Sequence, residues 1–318
     1  MILRRIIVLF YILALSVNNI AYGQCCTAGN PIGGDGSNIG ADKKELRISA
    51  SYKYSLSKNY FYHDIKTDLQ YVDKSYFDYG SLSLTYGILS KLSANAELGY
   101  FIDKTQKLTI NNESELIRAH GLGDLAFNIK YIPFRTVKPI SQLVISAGIK
   151  IPVGAFNEQI NGVTIPISLQ PSSGSLKYNA SAFYMRKRPD RRFGWNTFAL
   201  FEISQTIKKG YLIYRYGNYF QFAFAGTCAI TKKFDFIANA KFEFRGRDKR
   251  ENNLKIESTG SYVLYINPQL IYDFKYKWGL FAMADIPLYK YVNGCQLTNT
   301  FSVQVGLRKS FSLCKSNS

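Results

Sequence analysis

Histidine is nearly absent from this sequence, and acidic residues are scarce. Only His63 and His120 are present, and Asp and Glu number 22 against 40 Lys and Arg. Two histidines with no nucleophile motif around them offer little for acid–base chemistry, so an enzyme is not expected. Long apolar runs are missing too. Beyond residue 23 no stretch reaches the roughly 18 apolar residues that a membrane-crossing helix needs. The five cysteines, Cys25, Cys26, Cys228, Cys295 and Cys314, have no metal-ligand spacing, so neither a metal nor a cofactor is expected. The formal net charge of +18 is spread over loops and strand faces, which argues for contact with anionic lipid or an anionic solute and against nucleic acid.

What is present begins with an export signal. Arg4 and Arg5 open the chain, Ile6 to Val17 is mostly apolar, and Ala21-Tyr22-Gly23 is a small-x-small cleavage site. Residues 1–23 therefore read as a signal peptide and residues 24–42 as a Gly-rich leader. That leader is either a plug or a periplasmic tail. Cys25 and Cys26 sit in it, as a disulfide pair or as two free thiols.

From Leu46 onward the chain alternates with a period of two, the mark of extended strands with one oily and one polar face. Leu46, Ile48, Ala50, Tyr52, Tyr54 and Leu56 oppose Arg47, Ser49, Ser51, Lys53 and Ser55. Leu125, Phe127, Ile129 and Tyr131 oppose Asp124, Asn128 and Lys130. Phe234, Phe236, Ala238, Ala240, Phe242 and Phe244 oppose Asp235, Asn239, Lys241, Glu243 and Arg245. The stretch near 194–205 is less regular, because Phe198 and Leu200 break the alternation. The pattern gives about 12 strands, with about 10 or about 14 as alternatives, most of them long enough to cross a bilayer at a tilt.

The connections alternate as well. Long or medium loops are read at 58–75, 103–118, 152–172, 206–214, 246–261 and 289–297. Shorter links are read at Ser90-Lys91, 132–139, Thr231–Lys233 and Lys275–Lys277, and a medium one at 186–193, so the alternation holds mostly rather than throughout. Sorting of loop length by parity is expected of an up-and-down barrel whose two rims face different compartments. The expected fold is all-β: an up-and-down antiparallel transmembrane β-barrel over residues 43–313, followed by a tail at 314–318.

A charge on the lipid side costs about 2–4 kcal/mol near the midplane, so the charged face must turn inward. The lumen-lining candidates are Arg47, Lys53, Glu97, Asp124, Lys130, Lys150, Lys177, Glu202, Lys241, Glu243, Arg245, Asp285 and Arg308. They form either an ion-pair network that fills the barrel or a solute path. Phe183, Phe198, Phe281 and Met283 lean inward by the same parity.

Four segments occur in order: "GLGDLAFNIKY" at 121–131, "GIKIPVG" at 148–154, "LQPSSGS" at 169–175 and "DIPLYKYVNGCQL" at 285–297. They resemble the outer-membrane channel family named for the MetA pathway of phenol degradation, which is related to FadL-like outer-membrane transporters. The resemblance runs from about residue 119 to 311. It implies an outer-membrane barrel, in contact with outer-membrane lipid, that passes small and often hydrophobic or aromatic compounds. Two departures stand out: Pro152-Val153-Gly154 replaces the family's Pro-Thr-Gly, and Ser172-Ser173-Gly174 follows Gln170-Pro171 where the family has Gly-Thr-Gly. The leading expectation is a passive channel or transporter for a small solute. A structural or adhesive barrel that binds a partner through loops such as "NYFYH" at 59–63 is the alternative. A barrel hydrolase using His63 or His120 is a third.

Overall fold

The structure, a computed structural model, describes residues 38–68, 72–110, 113–160, 162–188, 192–210 and 212–313. The signal segment, Cys25, Cys26, Cys314, the leader up to residue 37 and the tail after Leu313 lie outside the described residues. The strands are β1 (Glu45–His63), β2 (Ile65–Thr67), β3 (Lys74–Leu89), β4 (Leu92–Ile110), β5 (Glu113–Leu122), β6 (Leu125–Val137), β7 (Ile140–Ile151), β8 (Gln159–Ile160), β9 (Val163–Thr164), β10 (Lys177–Lys187), β11 (Phe193–Ser204), β12 (Ile207–Lys209), β13 (Leu212–Tyr214), β14 (Tyr219–Ala229), β15 (Phe234–Arg245), β16 (Ser261–Asp273) and β17 (Trp278–Ser312).

The fold is all-β and antiparallel. Eleven strands close a ring in the order β17-β16-β15-β14-β11-β10-β7-β6-β4-β3-β1 and back to β17. β2 and β5 pair with β1 and β4 outside that ring. β17 has 35 residues. Its first leg pairs with β16 from Gly279 to Val292, and its second pairs with β1 from Val292 to Ser312. Gly294, at φ 62°, stands where the legs join.

Burial is inverted relative to a water-soluble protein, where apolar side chains fill the interior and charges face water. Lys53, Lys130, Lys177, Glu202, Gln221, Asn267 and Gln304 are buried. Their strand neighbours Tyr52, Ile129, Tyr131, Tyr178, Phe201, Phe222, Ile266, Val303 and Val305 are exposed. The parity read from the sequence is therefore the parity of the wall. The irregular stretch in β11 fits it as well: Phe198 and Leu200 are inward-facing, packed with Tyr219 and Ala223.

Aromatic side chains on the outer face form two belts, as expected where a barrel meets the two membrane–water interfaces. One belt runs Phe134–Tyr184–Trp195–Phe224, with ring centroids 6.1, 5.1 and 6.0 Å apart. The other includes Tyr76–Tyr54–Phe301 at 6.3 and 6.0 Å, and Phe244–Tyr262–Tyr291 at 5.1 and 5.9 Å.

The short connections, at 90–91, 138–139, 188–192, 230–233 and 274–277, gather at the end that holds the start of β1 and the end of β17. The opposite end carries 152–176, 205–218 and 246–260. Three sequence-based loops need correction. β4 and β5 run through most of 103–118, β1 continues through 58–63, and β17 occupies 289–297 without interruption. No regular apolar alternation runs through these stretches, so the two-residue period that marks the rest of the wall does not announce them as strand. In β1 the register shifts between Leu56 and Asn59, which turns Tyr60 inward to a buried cluster with Val72 and Leu297.

Candidate functional site

Inside the wall, the predicted charged residues meet in two clusters. In the first, the Glu202 carboxylate on β11 lies 2.6 Å from Lys150 on β7 and 3.9 Å from Lys177 on β10. Lys177 also reaches Asp124 at 4.0 Å and stands 4.7 Å over the Tyr216 ring. In the second, Lys241 bridges Glu243 at 3.0 Å and Asp285 at 2.8 Å, and Lys53 approaches Asp285 at 3.8 Å. Asn267 donates to the same Asp285 carboxylate at 2.8 Å, and Lys241 stands 4.5 Å over Tyr265. Each cluster draws its members from strands far apart in sequence, brought together by the ring.

The remaining candidates lie elsewhere on the inner wall. Arg245 stacks on Tyr219 at 5.1 Å, and Glu97 and Lys130 line the cavity toward the loops. Arg47 and Arg308 sit at the turn-end rim, paired with Glu45 at 3.3 Å and Asp273 at 2.8 Å. Phe183 and Met283 line the cavity toward the turns, and Phe281 is buried.

Two cavities of about 240 Å³ each occupy the lumen. The loop-side one has a basic wall of Lys150, Lys177 and Arg245 and, across it, an aromatic wall of Phe77, Tyr79 and Phe101, with the Lys104 ammonium 4.5 Å over the Phe101 ring. Those three aromatics form a buried cluster. Tyr79 lies flat against the backbone at Gly99, where a Cβ would sit 1.9 Å from the Tyr79 hydroxyl, so the pocket wall depends on a missing side chain. The turn-side cavity is lined by Lys53, Asn239, Lys241, Asn267, Asp285 and Arg308, among others. Asn38 and Ile39, just ahead of β1, reach this cavity, and Arg47 donates to the Ile39 carbonyl at 3.2 Å.

Sequence reasoning missed the loops that fold inward over the mouth. Segment 152–176 covers the edge of β5 that has no strand partner, packing Ile165 and Leu169 on Ala119. Lys104 donates to the Gln170 carbonyl at 2.8 Å. Asp124 accepts from the Ser172 hydroxyl at 2.8 Å and from the Ser173 amide at 2.9 Å. Tyr216 donates to the Ser173 carbonyl at 3.0 Å. At Gly154 a Cβ would stand 1.7 Å from the Leu122 carbonyl oxygen, so only glycine lets the segment after β7 approach the end of β5 there. Three of the four quoted segments thus converge on one junction beside the loop-side cavity. The quoted strings were the available signal, but nothing local announced that they touch.

His63 bonds Tyr291 through Nδ1 at 2.8 Å at the loop-end rim, and His120 is exposed on β5. Neither is among the residues lining the two cavities. Among the described residues no group of three His, Cys, Asp or Glu side chains could hold a metal ion.

This geometry defines the class: a closed antiparallel β-barrel with a greasy outer wall and a charged, partly filled interior. The chain belongs to the family described as "Putative MetA-pathway of phenol degradation", whose profile matches residues 70–305. Its fold is similar to the crystal structure of an outer membrane channel from Pseudomonas putida F1. The two share 12% sequence identity with a TM-score of 0.70, over 87% of this chain and 98% of that one. More distant likenesses are a deletion mutant of the TodX monoaromatic hydrocarbon channel and a Pseudomonas aeruginosa FadL homologue. The first has 8% identity and a TM-score of 0.47, covering 86% of this chain and 91% of that one. The second has 11% identity and a TM-score of 0.41, covering 86% and 91%. No curated protein sequence matches the chain significantly.

Proposed function

We propose that this protein is an outer-membrane channel that passes small solutes passively through its lumen. Counting the two legs of β17 separately, the chain crosses the bilayer about twelve times, an even number that leaves both ends of the barrel at the turn side, the periplasmic side in this reading. The observation that carries the proposal is the inverted wall, with Lys53, Lys177 and Glu202 buried while Tyr52, Tyr178 and Phe201 are exposed. Residues 1–23 direct export and are removed, 24–42 form the leader, and 314–318 form a tail. Asn38, which lines both cavities, and Ile39, which lines the turn-side one, support a chain entry from the periplasmic end that narrows the path.

The preferred solute has an apolar ring and an anionic group. The facing walls of the loop-side cavity support this: Phe77, Tyr79 and Phe101 offer π-faces and edges, while Lys177 and Arg245 attract negative charge. The Lys150–Glu202–Lys177 and Lys241–Asp285 networks hold the wall and leave the excess cations to bias permeation. The full chain in proteoliposomes should admit benzoate faster than a neutral sugar of equal size, and Arg245→Glu should lower the ratio. Absence of both flux and bilayer conductance would refute the channel reading. Flux of the sugar alone would refute the solute class.

A further inference from the structure

The turn end of the barrel carries a rim of cations that the solute path does not use. Lys91, Lys233, Lys275 and Lys277 stand on the short turns and are exposed, as is Arg186 at the end of β10. Lys309 points to the outer face of β17, with its ammonium 5.0 Å over the Trp278 ring and 5.5 Å over Phe311. Arg186 pairs in register with Trp195, in the aromatic belt. The described acids of this end are already engaged: Asp42 with Arg135, Glu45 with Arg47, Asp235 with Lys187, and Asp273 with Arg308. Among the described residues none of the six cations is in an ion pair. The opposite end mixes signs along its strands and loops, with Asp64, Asp73, Glu113, Glu115, Asp248 and Glu257 among its basic residues.

We propose that this rim binds the phosphodiester headgroups of anionic glycerophospholipids in the membrane leaflet it faces. The inference rests on the outer-membrane reading above. The aromatic belt fixes where the hydrocarbon ends, and the cations stand directly beyond it, at headgroup depth. Aromatic rings at that depth sit among glycerol and carbonyl groups, and the Lys309 ammonium held over them, which gives one donor to the Tyr276 carbonyl, has its other donors for a phosphate. A soluble anionic solute would gain nothing from a ring of charge outside the lumen. Each surface cation near an anionic headgroup strengthens attraction by a few-fold.

The chain contains its own probe, because both of its tryptophans, Trp195 and Trp278, lie at this rim. The full chain is reconstituted in phosphatidylcholine bilayers holding a minor fraction of brominated phosphatidylglycerol, and in parallel the same fraction of brominated phosphatidylcholine. Brominated phosphatidylglycerol should quench the tryptophan fluorescence as if enriched about fivefold over its bulk fraction. The enrichment should disappear in Lys233→Gln/Lys275→Gln/Lys277→Gln/Lys309→Gln and at about 0.5 M salt, and survive in Lys208→Gln/Lys209→Gln at the other end. Equal quenching by both lipids in the unsubstituted chain overturns the proposal and leaves the rim to an acidic periplasmic protein. Persistence of the enrichment in the quadruple variant overturns it too. Failure of either lipid to quench at all would instead refute the membrane reading on which it stands.

Discussion

Gln221 and Phe222 are consecutive on β14 and meet opposite surroundings. Gln221 is 7% exposed and accepts a hydrogen bond from the Tyr219 hydroxyl, whereas Phe222 is 44% exposed on the outer wall. The same contrast repeats around the ring, between an inner face that carries every ion-pair cluster and an outer face that carries both aromatic belts. The two faces share one backbone, so neither composition is set by strand propensity. Each is set by what it touches. Polar partners on the inside favour groups that hydrogen-bond and, in the proposed membrane setting, hydrocarbon on the outside favours groups that do not.

The largest expected effect comes from leaving inner charges without a partner. Asp285→Leu strips Lys53 and half of Lys241 of their counter-charge in a buried setting, and should destabilise the folded barrel by about 3–5 kcal/mol in urea titrations from bilayers. Next comes the direct test of the two faces. Phe222→Arg should cost about 2–4 kcal/mol and Gln221→Arg far less in the same titration. Equal costs would mean the faces do not differ. Gly154→Ala probes the junction where β5, β7 and the inward loop meet. The added methyl must displace the Leu122 carbonyl, so about 1–3 kcal/mol and a change in unitary conductance should follow. The smallest effect belongs to the belt: Trp195→Ala removes contacts with Tyr184 and Phe224 and should cost about 1 kcal/mol with conductance unchanged.

The wall was legible in the sequence because its information is local and periodic. Lys241 and Glu243 sit two apart on one face of β15, and Phe242 between them faces the other way, so parity alone assigns them. Parity fails where the register slips, as between Leu56 and Asn59, because one extra residue exchanges the faces and leaves no compositional trace. It fails again in the far ends of β4 and β5. Asp103 to Arg118 look like loop because no regular apolar alternation runs through them. The lid over the mouth was out of reach for a different reason. Its contacts, Lys104 with Gln170 and Asp124 with Ser172, join residues far apart in the chain, and a single sequence carries no mark of such pairs.

The two faces can be separated most directly by single cysteines placed along β15 in a chain whose native cysteines are serine. Phe242, Glu243 and Phe244 are replaced in turn, the protein is inserted into bilayers, and each thiol is offered a water-soluble maleimide and a lipid-confined quencher of an attached fluorophore. The account predicts that position 243 reacts from water and escapes the quencher, while positions 242 and 244 are quenched and resist the maleimide. Uniform reactivity at all three positions, or the reverse alternation, would contradict a barrel that shows its oily face to lipid and its charges to its own interior.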